Sequence, residues 1–229
     1  LPVTKLSFDV NGLLLEAVRR ADEWIIINQK VPSLDSIFVF NADADRGEEE
    51  RAAPDALRRV YHLLDGKRSV LEIVEATGVG KFESCKGLID LLDRGRVRLL
   101  AVQEMMDLAT ARMNNGRKEG ALRLFMASAA QAGKDSKVIA EVARVLENEG
   151  LAREAAAHHL KASGLFLEQG DLDRALDHAQ SGLQLQPDDA AAKMGMFEVH
   201  AALGNLEEGK RLAKELALQA LVAPDFPMA

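Results

Sequence analysis

The chain has 229 residues, 48% apolar and 28% charged, which gives it enough apolar side chain to build a sizeable core and excludes disorder as its main state. Aromatics make up only 4%, and a core built mainly from Ala and Leu suits closely packed helices better than stacked sheets. The net charge of −7 is spread over both halves, with 15 basic and 17 acidic groups in 1–100 and 14 and 19 in 101–229, so neither half binds polyanions by bulk field.

No apolar run approaches the roughly 20 residues that span a bilayer, and the N-terminus lacks the succession of a signal peptide. Cys85 is the single cysteine, so it has no internal disulfide partner and cannot build a thiolate metal site alone. A cytoplasmic protein is expected. The chain opens at Leu1 and runs almost at once into helical sequence, which predicts a piece of something longer.

Residues 11–30 carry Leu14, Ala17, Val18, Ala21 and Ile25 at helical spacing, with Asn11 available as a cap, and predict an amphipathic helix ended by Pro32. Ser36–Phe40 is β-prone. NADADRGEEE (41–50) has no apolar period and is expected to be a solvated loop, closing a first segment at 1–53. Residues 54–100 predict three short helices, PDALRRVYHLLDG, SVLEIVEATG capped by Ser69 with Glu72 three residues on, and KFESCKGLIDLLDRG, followed by the β-prone RVRLL. Helix, helix, turn, helix, strand is the order of a winged helix-turn-helix.

From 101 to 223 a repeat governs the pattern. Gly116, Gly150, Gly170 and Gly204 each end an amphipathic segment; Ala121, Ala155, Ala175 and Gly209 follow five residues on, and Ala109, Ala143 and Ser163 precede the first three by seven. Small residues flanking a turn let two antiparallel helices approach closely. The pattern resembles the tetratricopeptide repeat, with GDLDRALDHAQSGLQLQPDD (170–189) the closest copy. The glycine spacings are 34, 20 and 34, so the helix at about 151–169 must close one hairpin and open the next. Seven helices are predicted, about 102–115, 117–132, 136–149, 151–169, 171–186, 189–203 and 205–222, with 224–229 a tail. The fold class is therefore mainly α, a winged-helix-like N-terminal subdomain followed by an α-α helical-hairpin solenoid.

The runs LLLEAVRRADEW (13–24), VPSLDSIF (31–38) and LLDGKRSVLEIVEATGVGKFESCKGLIDLLDRGRVRLL (63–100) resemble the C-terminal part of the PatA-like N-terminal (PATAN) domain, whose upstream α/β portion this chain lacks. The resemblance covers about 1–100. It implies a non-enzymatic scaffold or adaptor in bacterial signalling or motility, and no catalytic residues.

Several constellations carry residue types suited to binding or catalysis. Lys81, Ser84 and Lys86 lie early on the third short helix and Arg94, Arg96 and Arg98 crowd the strand after it, a set that suits phosphate contacts and supports a DNA-binding regulator as the alternative function. Against it, helix 81–94 balances three acidic residues against three basic ones, and no returning strand makes a wing; no nucleic-acid partner is expected. Asn41, Asp43 and Asp45 start like a calcium loop, but Gly47 and Ala52 break the frame. His158 and His159 point about 100° apart, and His62, His178 and His200 have no close carboxylate or cysteine in sequence, so no metal, cofactor or catalytic dyad is expected. GVGK (78–81) has Glu75 and Phe82 where a phosphate loop needs Gly and Ser or Thr. Cys85 shares a helix face with Leu88, Ile89 and Leu92 and is expected to be a buried, inert thiol.

The favoured site is the solenoid groove. In such arrays the positions six and ten before the turn glycine face the groove, here Met106, Thr110, Ala140, Arg144, Leu160, Gly164, Met194 and Glu198. Met and Leu with scattered charge suit an amphipathic helix or peptide from a protein partner.

Overall fold

The computed structural model describes residues 10–222. Its elements are α1 (Val10–Lys30), β1 (Ile37–Phe40), α2 (Arg46–Ala52), α3 (Asp55–His62), β2 (Asp65–Ser69), α4 (Val70–Thr77), α5 (Lys81–Asp93), β3 (Val97–Leu99), α6 (Val102–Asn114), α7 (Lys118–Gln131), α8 (Ser136–Asn148), α9 (Ala152–Glu168), α10 (Leu172–Leu185), α11 (Ala190–Ala202) and α12 (Leu206–Val222). They divide into two compact units, one ending at Asn115 and the other beginning at Gly116.

In the first unit three strands form an antiparallel sheet in the order β2-β1-β3. Phe38 stands opposite Leu99 and Phe40 opposite Val97, while Ile37 stands opposite Ser69. The helices of this unit pack Val60, Tyr61, Leu64, Ile73, Cys85, Leu88 and Leu91 into one core with Phe38 and Val97. Two elements differ from the sequence expectation. Residues 46–50 are helical, because Asp45 caps α2 by accepting from the Glu48 N–H, and because Glu49 is buried and receives both Arg94 (2.6 Å) and Arg96 (3.0 Å). The polar segment DGKRS is strand β2, with no apolar alternation of its own; its pairing with β1 holds it there. The chain passes from β3 into α6 without a returning strand, and β1, from ahead of the three helices, is the middle strand.

Helix α4 starts on the expected capping box, the Ser69 hydroxyl accepting from the Glu72 N–H and the Glu72 carboxylate accepting from the Ser69 N–H. The same carboxylate takes a two-pronged bond from Arg112 of α6 (2.9 and 3.0 Å). Helix α6, expected to open the repeats, thus belongs to the first compact unit.

In the second unit the helix ends fall within a residue of those expected, each hairpin turning through a glycine such as Gly150 (φ 77°) or Gly170 (φ 76°), a backbone that residues with a Cβ rarely adopt. The small residues do what their spacing implied: Ala121, Ala143, Ala155, Ala175 and Ser163 are all buried, and the Ser163 hydroxyl donates to the Ala175 carbonyl (2.8 Å), linking α9 to α10. Helix α9 packs most extensively against both α8 and α10, as a helix shared by two hairpins must. The described chain is mainly helical, with helical-hairpin repeats in this unit.

Candidate protein-docking trough

An open cavity of about 860 Å³ lies between the first half of α9, the end of α10 and the start of α11, walled by Arg153, Ala157, Leu160, Leu185, Pro187 and Ala191. Leu160 forms its floor because two glycines let neighbouring helices close on it. A Cβ added at Gly182 of α10 would stand 2.9 Å from Leu160 Cδ2, and one at Gly195 of α11 would stand 3.3 Å away. Any side chain at Gly182 would push Leu160 out of its seat. Asp188 and Asp189 lie at the same end as Arg153, and Asp189 also caps α11 by accepting from the Ala191 N–H (3.0 Å).

The α11 face continues from Ala191 through Met194, 46% exposed, to the exposed Glu198, at helical spacing. On α9 the corresponding line runs Arg153, Ala157, Leu160, Gly164, and a Cβ at Gly164 would meet nothing within 4 Å. Gly164, Met194 and Glu198 are exposed and Leu160 is half-buried. Arg144 is exposed on α8, while Ala140 is buried. Met106 and Thr110 are on α6, in the first unit. Met106 is 2% exposed and is core, so it offers a partner no surface; the Thr110 hydroxyl donates to its carbonyl (2.9 Å).

The structure also assembles a cluster that the sequence hid. His159 Nδ1 and His178 Nδ1 are 2.8 Å apart across α9 and α10, both rings buried, and His159 Nε2 lies 3.1 Å from Glu147 Oε2. A carboxylate only accepts, so His159 carries its proton on Nε2, its Nδ1 accepts, and His178 donates from Nδ1. His178 Nε2 is then a bare, buried lone pair without a partner. Burial, the neighbouring His159 and the Arg144 charge pull the His178 ring down to about 4; burial also lowers His159, against the pull of Glu147. His178 stacks on Phe166 at 5.5 Å, and the Arg174 guanidinium caps Phe166 from 4.5 Å. Both rings stay neutral near pH 7, which makes the cluster a packed polar core. His62 meets Glu50 at 3.3 Å on the first unit's surface. Among the described residues no three His, Cys, Asp or Glu groups are arranged to hold a metal ion.

Most of the nucleic-acid candidates already hold an acidic partner. Ser84 is fully buried, so its hydroxyl reaches no phosphate. Lys86 bonds Glu23 (3.0 Å), Arg94 and Arg96 share Glu49, and Arg98 bonds Glu104 (2.7 Å); Lys81 is exposed. Helix α1 lies along α5, with Trp24 edge-on to Phe82 at 5.9 Å and Arg20 over the same ring at 5.2 Å. Cys85 is fully buried, and burial raises its thiol, which keeps it unreactive.

Residues 166–225 match the tetratricopeptide repeat family. No curated protein matches the chain. Among solved structures, one titled "MamA RS-1 ArsTM double mutant" is similar at 17% identity over 52% of this chain and 74% of that one, with a TM-score of 0.26. That likeness is too slight to bear on function. The repeat match covers α10, α11 and α12, and Gly182 of α10 and Gly195 of α11 stand against Leu160. Tetratricopeptide-type hairpins are typically non-catalytic interaction modules, and no helix among the described residues is long and apolar enough to cross a membrane.

Proposed function

We propose that this chain is a non-enzymatic adaptor whose repeat unit captures a short amphipathic helix or peptide of a protein partner in the trough between α9 and α11. The observation that carries this reading is Leu160, an apolar floor seated by Gly182 and Gly195 beneath an open cavity of about 860 Å³. Packed hairpins hold that floor in place before the partner arrives, so only the partner loses freedom on docking. Ala157, Leu185 and Ala191 supply apolar wall, the exposed Met194 extends it one turn along α11, and Arg153 with Asp188 and Asp189 marks a polar end that fixes the direction of the incoming segment.

The first unit reads as the C-terminal part of a PATAN domain with a winged-helix-like centre, supported by the order α3, β2, α4, α5, β3. We divide it from the repeats near residue 101, where the glycine-paced pattern begins. By that resemblance the partner is a bacterial signalling or motility protein, and a reducing cytoplasm suits the single buried thiol.

Gly164 gives the cleanest test because space around it is open. Gly164→Trp adds a bulky ring on the open side of α9 one turn beyond Leu160, whereas Gly164→Ala leaves that side open and favours the helix by about 0.5–1 kcal/mol. Affinity capture followed by mass spectrometry should recover a partner with the natural chain and with Gly164→Ala, and lose it with Gly164→Trp and with Met194→Glu. Equal recovery with all four proteins would move the site elsewhere.

A further inference from the structure

The apolar stripe of α1 does not enter the core. Leu14, Val18 and Ile25 are each 60% exposed, Leu15 is 72% exposed, and Ala21 is exposed too. The helix is instead fastened to α5 by a side about 120° round its axis, through Ile27, Trp24 against Phe82, and the Glu23–Lys86 ion pair.

Residues 14, 18, 21 and 25 alternate spacings of four and three, the seam of a coiled coil, with Val18 and Ile25 at a positions and Leu14 and Ala21 at d positions. We propose that α1 is a homodimerisation helix, pairing in parallel with α1 of a second copy of this chain. Three features select that occupant. A seam in heptad register calls for another helix, since its ridges match a left-handed supercoil rather than a sheet or a loop. β-branched residues at a with Leu at d favour two parallel strands. The flanking e and g positions, Leu15, Asp22 and Gln29 with Ala17 and Trp24, carry a single charge, so two identical helices meet without repulsion, and nothing there demands a differently charged partner.

The remaining charges of the helix are already satisfied at its outer positions: Glu16 takes Arg19 (2.7 Å) and Arg20 (2.8 Å), Glu23 takes Lys86 (3.0 Å), and Arg19 also pairs with Glu23. Desolvating the seam therefore strands no ion. The apolar seam spans under two heptads, with Asn28 at the next d position, and would be marginal alone, but α1 is already folded against α5, so pairing costs little further ordering. The paired seam would give the adaptor two copies of its trough and raise the effective concentration of a second docking event.

Sedimentation equilibrium of the full chain from about 1 to 100 µM is the test. The weight-average mass should rise towards twice that of one chain, and Val18→Glu should hold it at one chain while Trp24 emission and helical content stay unchanged. Ile25→Cys, the sole accessible thiol beside buried Cys85, should cross-link to its own copy under diamide, because a parallel seam brings position 25 against position 25. A single-chain mass throughout the series overturns the proposal, which would leave the stripe to some other partner. So does a dimer that Val18→Glu and Ile25→Gln both leave intact, or a dimer in which Ile25→Cys gives no cross-link.

Discussion

Adding a proton to the buried histidine pair forces a charge into a site with no acceptor for it. His178 Nε2 has no partner, its Nδ1 already faces His159, and the charges around the pair, Arg144, Arg174 and His158 against Glu147 and Asp177, include three that repel. The native ring titrates near 4 and an unfolded one near 6.5, so the neutral form is favoured by folding. The sign follows: the contribution is complete above pH 6.5 and is lost as pH falls towards 4, about 3 kcal/mol over that window. Urea unfolding of the natural chain should therefore weaken between pH 7 and pH 4.5 by more than that of His178→Gln, whose amide can donate to His159 but cannot ionise. Parallel pH profiles would mean that the pair is hydrated. The pairing was invisible in sequence because its members are 19 residues apart on two helices, and only the hairpin at Gly170 brings them together. The turn glycine was legible, whereas the rotation of each helix about its axis was not.

Elements were legible where their ends carry their own chemistry. The Ser69–Glu72 box, the turn glycines and the alanines at fixed offsets each act within a few residues, so helices α4 to α12 fall almost where the sequence puts them. Elements made by distant partners escaped. β2 is polar and exists through β1, and α2 holds through Glu49 meeting Arg94 and Arg96, some 45 residues downstream. The stripe on α1 shows that an apolar period identifies a helix without saying what covers it. Arg112 is a third long-range case, since its guanidinium crosses to Glu72 from α6 and also donates to the Lys67 carbonyl. Burial raises the Glu72 carboxyl, but Arg112 and the Ser69 N–H outweigh it and hold the group below its usual range. Removing the half-buried cation in Arg112→Met should cost about 2 kcal/mol at pH 7 by stranding that carboxylate, and the added change Glu72→Gln should recover much of it. Chemical denaturation of the two variants decides the point. In the natural chain the ionic part of the contribution is present above pH 4.5 and fades as pH drops through the lowered value.

At the scale of the whole chain, the two units should respond differently to the same kind of damage, because one gathers its contacts around a single centre and the other passes them along a line. Leu88 is fully buried in a core fed by α3, α4, α5 and the sheet, so Leu88→Ala opens a cavity in the one core those elements share. Leu212 is 1% exposed on α12, which packs principally on α11, while α9 packs on α8 and α10. Each substitution should cost about 2–5 kcal/mol. In a stacked array that cost is borne by the damaged repeat and its neighbour, whereas a single core loses it everywhere at once. Hydrogen exchange should therefore show Leu212→Ala stripping protection from 190–222 while α8 and α9 keep theirs. Leu88→Ala should lower protection together across 55–99. Uniform loss from α8 to α12 on changing Leu212 would mean that the repeats fold as one block, with the trough floor at Leu160 opening whenever α12 does.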